Sequence, residues 1–124
     1  MQGSDRRSVR AVRGAIRVER DDAATVLDAT ARLVETLLER NGVATHDIVS
    51  MFFTATPDLR AAFPAEAARR MGLGSVPLMC AQEIAVAGAM ERVVRVLVHF
   101  HTVHAQTEVT PVYLDGAESL RDDL

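Results

Sequence analysis

The sequence predicts a single α/β (α+β) domain, a mixed β-sheet packed with one long helix and one or two short ones. Three observations carry that reading. Residues 9–18 alternate at strand period. Leu27, Ala31, Val34, Leu37 and Leu38 then recur at helical spacing. Further apolar segments and turn residues extend the order to β-α-β-α-β-β-β, the pattern of a mixed sheet with few helices.

The first strand, Val9 to Val18, sets Val9, Ala11, Arg13, Ala15 and Arg17 on one face and Arg10, Val12, Gly14, Ile16 and Val18 on the other. Asp21-Asp22 offers an N-cap to a long helix over about residues 22–41, and Gly42 stands at its expected C-terminal cap. Asp28, Arg32, Glu35 and Glu39 form the polar face of that helix. Ile48 to Ala55 is apolar on both faces and reads as a central strand covered on both sides. Thr56-Pro57, a cap followed by proline at the first helical position, predicts a short helix through Phe63. Pro64 restarts a further turn or two over Ala65 to Met71, ended by Gly72 and Gly74. Val76 to Cys80 reads as a short strand, Glu91 to His101 as a long one and Thr110 to Leu114 as the last. In the long strand Val94, Val96, Val98 and Phe100 share one face, and Val93, Arg95, Leu97 and His99 the other. The isolated glycines read as turn punctuation. Strands apolar on both faces, with few helices to cover them, imply that other copies of the chain cover part of the sheet, so a homo-oligomer is expected.

At 124 residues the chain is one domain, large enough for a core of its own. Residues 1–8 read as a polar, frayed tail rather than a signal peptide, and 9–124 as the folded domain. No apolar run approaches the ~20 residues of a membrane-spanning helix. A net charge of -3 gives no reason to expect nucleic acid or an anionic membrane as a partner. The single cysteine excludes an intramolecular disulfide and fits a reducing cytoplasm. All 14 basic residues are arginine, so Schiff-base chemistry and lysine general bases are excluded within the chain, while the guanidinium groups can bind and polarise but not shuttle protons. No P-loop, G-x-S-x-G or G-x-G-x-x-G pattern is present.

Glu83 stands between apolar stretches after Cys80-Ala81-Gln82, and Arg95 lies within Val93-Val94-Arg95-Val96-Leu97-Val98. A buried charge without a partner costs several kcal/mol, roughly what a small domain has to spare, so each of these residues calls for one. An enclosed set of Arg13, Arg95 and Glu83 suits a small dianion. Each also has a plainer reading: Arg13 as an edge arginine reaching to water, Glu83 as a solvated loop carboxylate, Arg95 in a structural ion pair with Glu83. Tyr113 is either a hydroxyl donor to an anion or a core ring with a wet tip. Cys80 has no His or Asn near it in sequence and reads better as a small buried residue than as a nucleophile. His99, His101 and His104 could approach one another at a strand end, but no carboxylate or cysteine completes a recognised metal spacing.

Taken together and in order, Val12-Arg13-Gly14-Ala15, Val18-Glu19-Arg20-Asp21, Ala55-Thr56-Pro57-Asp58-Leu59, Phe63-Pro64-Ala65, Cys80-Ala81-Gln82-Glu83, Arg95-Val96, Val112-Tyr113-Leu114 and Leu120-Arg121 resemble the monofunctional, trimeric α/β chorismate mutases rather than the all-helical class. The resemblance runs from about Arg10 to Leu124. It implies a pseudo-α/β-barrel homotrimer with active sites between adjacent subunits. The implied reaction is the Claisen rearrangement of chorismate to prephenate, which needs no cofactor or metal. Carried over by position, Arg13 would hold a substrate carboxylate, Arg95 would bridge a carboxylate and the ether oxygen, and Glu83 would face the ring, with Cys80 close by. Tyr113 would bind the enolpyruvyl carboxylate. Phe63, Leu78, Met79 and Leu120 would line the pocket, with Arg69 and Arg121 near its mouth.

Two departures from the family pattern bear on the site. Glu66 stands where the family often has a basic residue at the pocket rim, which would weaken attraction of a dianion. The chain ends three residues after Arg121, without the longer tail that partly covers the site in some relatives, so the resemblance does not carry tail-dependent ordering over to this sequence. Two other classes fit the architecture: trimeric imine or enamine deaminases, which do not carry the Cys-x-Gln-Glu, Arg95 and Tyr113 set as such, and a non-catalytic trimer binding a carboxylate ligand.

Overall fold

The computed structural model describes residues 6–122. Its elements are β1 (Ser8–Arg17), α1 (Ala23–Arg40), β2 (Ile48–Ala55), α2 (Ala65–Ala68), β3 (Leu78–Gln82), β4 (Val93–Thr102) and β5 (Val112–Leu114). The strands form one mixed sheet in the order β3-β2-β4-β1-β5. β4 runs antiparallel to both β1 and β2, whereas β3 is parallel to β2 and β5 to β1. Of the expected N-terminal tail, residues 1–5 lie outside the described residues; Arg7 donates to His101 O and pairs with Asp47, and Ser8 already belongs to β1. No described helix is long and apolar enough to cross a membrane.

Strand parity determines which face is buried. Val12 and Ile16 of β1, Met51 and Phe53 of β2, and Val94, Val96, Val98 and Phe100 of β4 all point to the side of α1 and form the main core with Leu33, Val34 and Leu37. Asp22 caps α1 by accepting from Thr25 N at 2.8 Å, and this bond, more than any other contact, holds its carboxyl below the usual aspartate range. Asn41 closes the helix, with its amide bound to Leu37 O and to both backbone groups of Thr110, and Gly42 follows at φ +61°.

Gly14 is not turn punctuation. It sits mid-strand beneath α1, where a Cβ would come within 3.0 Å of Leu37 Cδ1 and 3.1 Å of Leu33 Cδ1. The missing side chain lets α1 lie directly on β1.

The other face of the sheet is largely uncovered within one chain. A small cluster of Ala15, Val93, Ala117 and Leu120, flanked by Met90 and Tyr113, closes one end of it. Beyond that cluster Phe52 is 41% and Met79 61% exposed. β2 is an inner strand, paired with β3 on one side and with β4, the middle strand, on the other, but it is not covered on both faces: among the described residues no layer lies over its second face.

Residues 57–63 form turns rather than the expected helix. Long-range side chain–backbone bonds hold them open. The Thr56 hydroxyl accepts from Val93 N, the Asp21 carboxylate from Arg60 N and Ala61 N, and Asp58 from Arg92 N. The following helical segment covers the expected residues: α2 passes at Arg69 into a π-type turn over Arg69–Leu73, and helical geometry breaks at Gly72, which has φ +89°.

Candidate active site

The strand register lays a row of side chains across the uncovered face. Ala81, Thr54, Arg95, Ala15 and Tyr113 are successive cross-strand partners from β3 to β5. Met79, Phe52, Leu97 and Arg13 form the adjacent row. A cavity of about 260 Å³ opens here, lined by Arg13, Ala15, Phe52, Thr54, Arg95 and Tyr113 among others.

Glu83 enters this face from the end of β3. Its N–H donates to Ala55 O at 2.9 Å, one rung beyond the β2–β3 ladder, so its side chain shares the parity of Ala81. Its Oε2 accepts from Arg95 Nε at 2.9 Å and from Thr54 Oγ1 at 2.6 Å. The two charged side chains are 19% and 27% exposed, enclosed enough to be held and open enough to meet a ligand.

The ion pair considered as the plainer reading of Arg95 thus exists, but it uses only one edge of the guanidinium. Among the described residues, the Nη groups of Arg95, the guanidinium of Arg13 and the Tyr113 hydroxyl have no hydrogen-bond partner. Two arginines and one carboxylate share this face of the sheet, leaving net positive charge on a largely apolar wall. Such a site can bind an anion, orient it through planar donors and set a negative oxygen opposite a fixed cation.

The other expected site residues lie elsewhere in the chain. Cys80 and Leu78 point to the helix side, opposite Phe53 and Met51, as neighbours of alternate parity to Met79. Cys80 Sγ accepts from Ala65 N at 3.3 Å, tying α2 to β3. With Phe63, which is 74% exposed, Cys80 lines a second cavity of about 390 Å³ at the β3 edge of the sheet. Leu120 is buried in the small cluster beside Tyr113. Arg69 and Arg121 are exposed, and Arg69 is bound to Glu66 at 3.0 Å. Hydrogen bonds from Arg69 and then Arg70 hold the Glu66 carboxyl below its ordinary range.

The histidines do not assemble. His99 Nδ1 lies 3.4 Å from Ser50 Oγ, and its ring meets Phe52 edge-on, whereas His104 approaches Glu108. Among the described residues no cluster could hold a metal ion. A larger cleft of about 640 Å³ beside α1 contains none of the expected site residues, and its Arg20 and Arg32 are paired with Asp22 and Asp115. Sequence reasoning missed Thr54 and Phe52 as parts of the site. Their shared parity in β2 is readable, but their position beside Arg95 and Leu97 depends on the β2–β4 register.

Comparison with known proteins gives a consistent result. A family model described as chorismate mutase type I matches residues 9–124. The chain is 45% identical over 117 residues to chorismate mutase AroH of Thermus thermophilus, covering 94% of this chain and 96% of that protein. It is 40% identical over 117 residues to chorismate mutase AroH of Bacillus subtilis (strain 168), covering 94% and 92%. The solved structure of a chorismate mutase from Clostridium thermocellum superposes with a TM-score of 0.86 at 43% identity, covering 88% of this chain and 97% of that one. With a family match that takes in every residue of the paired site, and a solved relative of the same fold, this chain belongs to the chorismate mutase type I family.

Proposed function

We propose that the protein is an isomerase, an intramolecular transferase that converts chorismate to prephenate in the synthesis of phenylalanine and tyrosine. It acts as a homotrimer with its active sites between neighbouring subunits. The observation that carries this reading is the Arg95–Glu83 pair, joined through Nε at 2.9 Å with the Nη edge of Arg95 turned to no other protein group among the described residues. Family membership supplies the substrate.

The rearrangement is pericyclic and unimolecular. The ether C–O bond breaks as the new C–C bond forms, and no group is exchanged with the protein. As the ether bond lengthens, negative charge gathers on the enolpyruvyl oxygen and positive charge on the ring. A guanidinium beside the oxygen and a carboxylate beside the ring bind that charge-separated state more tightly than the ground state. Arg95 and Glu83 take these two roles. Arg13 and Tyr113 hold the carboxylates so that the two reacting carbons approach, which lowers the entropic part of the barrier.

The trimer is supported by the uncovered sheet face with its exposed Phe52 and Met79. It is supported also by the division of the expected pocket between two cavities, one holding Arg13, Arg95 and Tyr113 and the other Phe63 and Cys80. A neighbouring subunit can bring the second patch of one chain to the first patch of the next. A cytoplasmic setting is part of the same proposal, and the single cysteine supports it. The test is the loss of chorismate absorbance on adding purified protein, with native mass measured alongside. Chorismate decay no faster than in buffer would overturn the assignment. If the mass were then still trimeric, a carboxylate-binding trimer would be the surviving reading.

A further inference from the structure

Thr54 belongs to the cavity wall, yet nothing in its sequence surroundings marks it. It is the Cα partner of Arg95 across β2–β4 and of Ala81 across β2–β3. Its hydroxyl donates to Glu83 Oε2 at 2.6 Å, the same oxygen that accepts Arg95 Nε at 2.9 Å. Among the described residues, Oε1 of Glu83 accepts no hydrogen bond.

We propose that Thr54 is a positioning residue for the rearrangement: its hydroxyl fixes the plane of the Glu83 carboxylate, so that one oxygen is held by the protein and the other faces the substrate. The inference rests on the function proposed above. The terminal torsion of a glutamate is broad and roughly twofold, so a carboxylate held by a single donor can rotate and exchange its oxygens. Two donors from different strands converging on one oxygen remove that freedom. Thr54 suits the task because a β-branched side chain is stiff at χ1 and its strand is paired on both sides. It also shares Oε2 with Arg95, which limits how far the guanidinium is drawn toward Glu83 and away from the cavity.

The test compares Thr54→Val, which keeps the shape and removes the hydroxyl, with Thr54→Ser, which keeps the hydroxyl and loosens χ1. For chorismate turnover by the full chain, T54V should lower kcat by about 10- to 100-fold with KM within about twofold, as expected when a reacting-centre group is misplaced while ground-state binding persists. T54S should recover most of kcat. In a Glu83→Gln background, adding T54V should cost much less than it does alone, because the group it positions has lost its charge. Circular dichroism checks folding, and should T54V not fold, Thr54→Ala takes its place with the same expected loss. Wild-type kcat in T54V, equal losses in T54V and T54S, or a loss confined to KM would each overturn the positioning role. E83Q separates the two levels: full activity in E83Q would remove Glu83 from the mechanism, whereas an impaired E83Q beside an unimpaired T54V would remove only Thr54.

Discussion

Replacing Arg95 by lysine keeps the charge and removes the planar fork. Arginine offers five N–H donors in fixed geometry. In this structure Nε serves Glu83 at 2.9 Å, and among the described residues the Nη groups have no partner, which suits them to the proposed substrate contact. A lysine ammonium concentrates its charge on one atom and cannot meet both demands. Turned to Glu83, it leaves the developing oxyanion without its cation. Turned to the cavity, it leaves a carboxylate only 19% exposed with Thr54 as its remaining donor. Either way one charge-assisted hydrogen bond is lost, worth about 1.5–3 kcal/mol. A preorganised donor at a reacting oxygen is worth somewhat more, about 2.7–4 kcal/mol. At about 1.36 kcal/mol per tenfold, kcat/KM should fall by about 10²-fold or more, with most of the loss in kcat. Steady-state rates of chorismate disappearance give both constants, and an unfolding midpoint near that of the wild type shows that the sheet is intact. Near-normal turnover by a folded R95K protein would refute the reasoning and return the Arg95–Glu83 pair to a structural role.

Three further outcomes follow from the same structure. Phe52→Asp should reduce the native mass below that of the proposed trimer and lower activity, since it places a charge in the middle of the exposed sheet face; an unchanged native mass would show that this face is not the interface. Glu66→Gln should lower KM roughly two- to fivefold at low salt, with the gain fading at high salt, because it removes an exposed carboxylate and releases Arg69 and Arg70. The Glu66 carboxyl is held below its ordinary range, so in the wild type this clamp persists through neutral pH and is lost only as pH falls through that depressed pKa; a KM unaffected by E66Q would place α2 away from the pocket mouth. Leu37→Ala should destabilise the fold by about 2–5 kcal/mol in urea unfolding, because Leu37 is fully buried over Gly14; a loss below about 1 kcal/mol would mean that α1 does not pack on β1 as described.

Which face a side chain takes is legible in the amino-acid sequence itself. Strand period places Arg13 and Arg95 opposite their buried neighbours, and the long helix with its Asp22 and Gly42 ends is legible to within a residue. These are local properties, governed by repeat distance, capping chemistry and backbone freedom. The same parity separates Met79 from Leu78 and Cys80, although family resemblance gathers all three around one pocket. Partnership across the sheet is a different kind of information. That Arg95 meets Glu83, that Thr54 joins them and that Phe52 lies uncovered all depend on the β3-β2-β4-β1 order and its register. The failure of the helix expected after Pro57 has the same origin: polar groups of this segment are engaged by Asp21, Arg92 and Val93, residues remote in sequence that a local pattern of caps and prolines cannot see. Periodicity orients a side chain at the cost of a few neighbouring torsions, whereas a pair such as Arg95–Glu83 exists only once three strands have found their alignment.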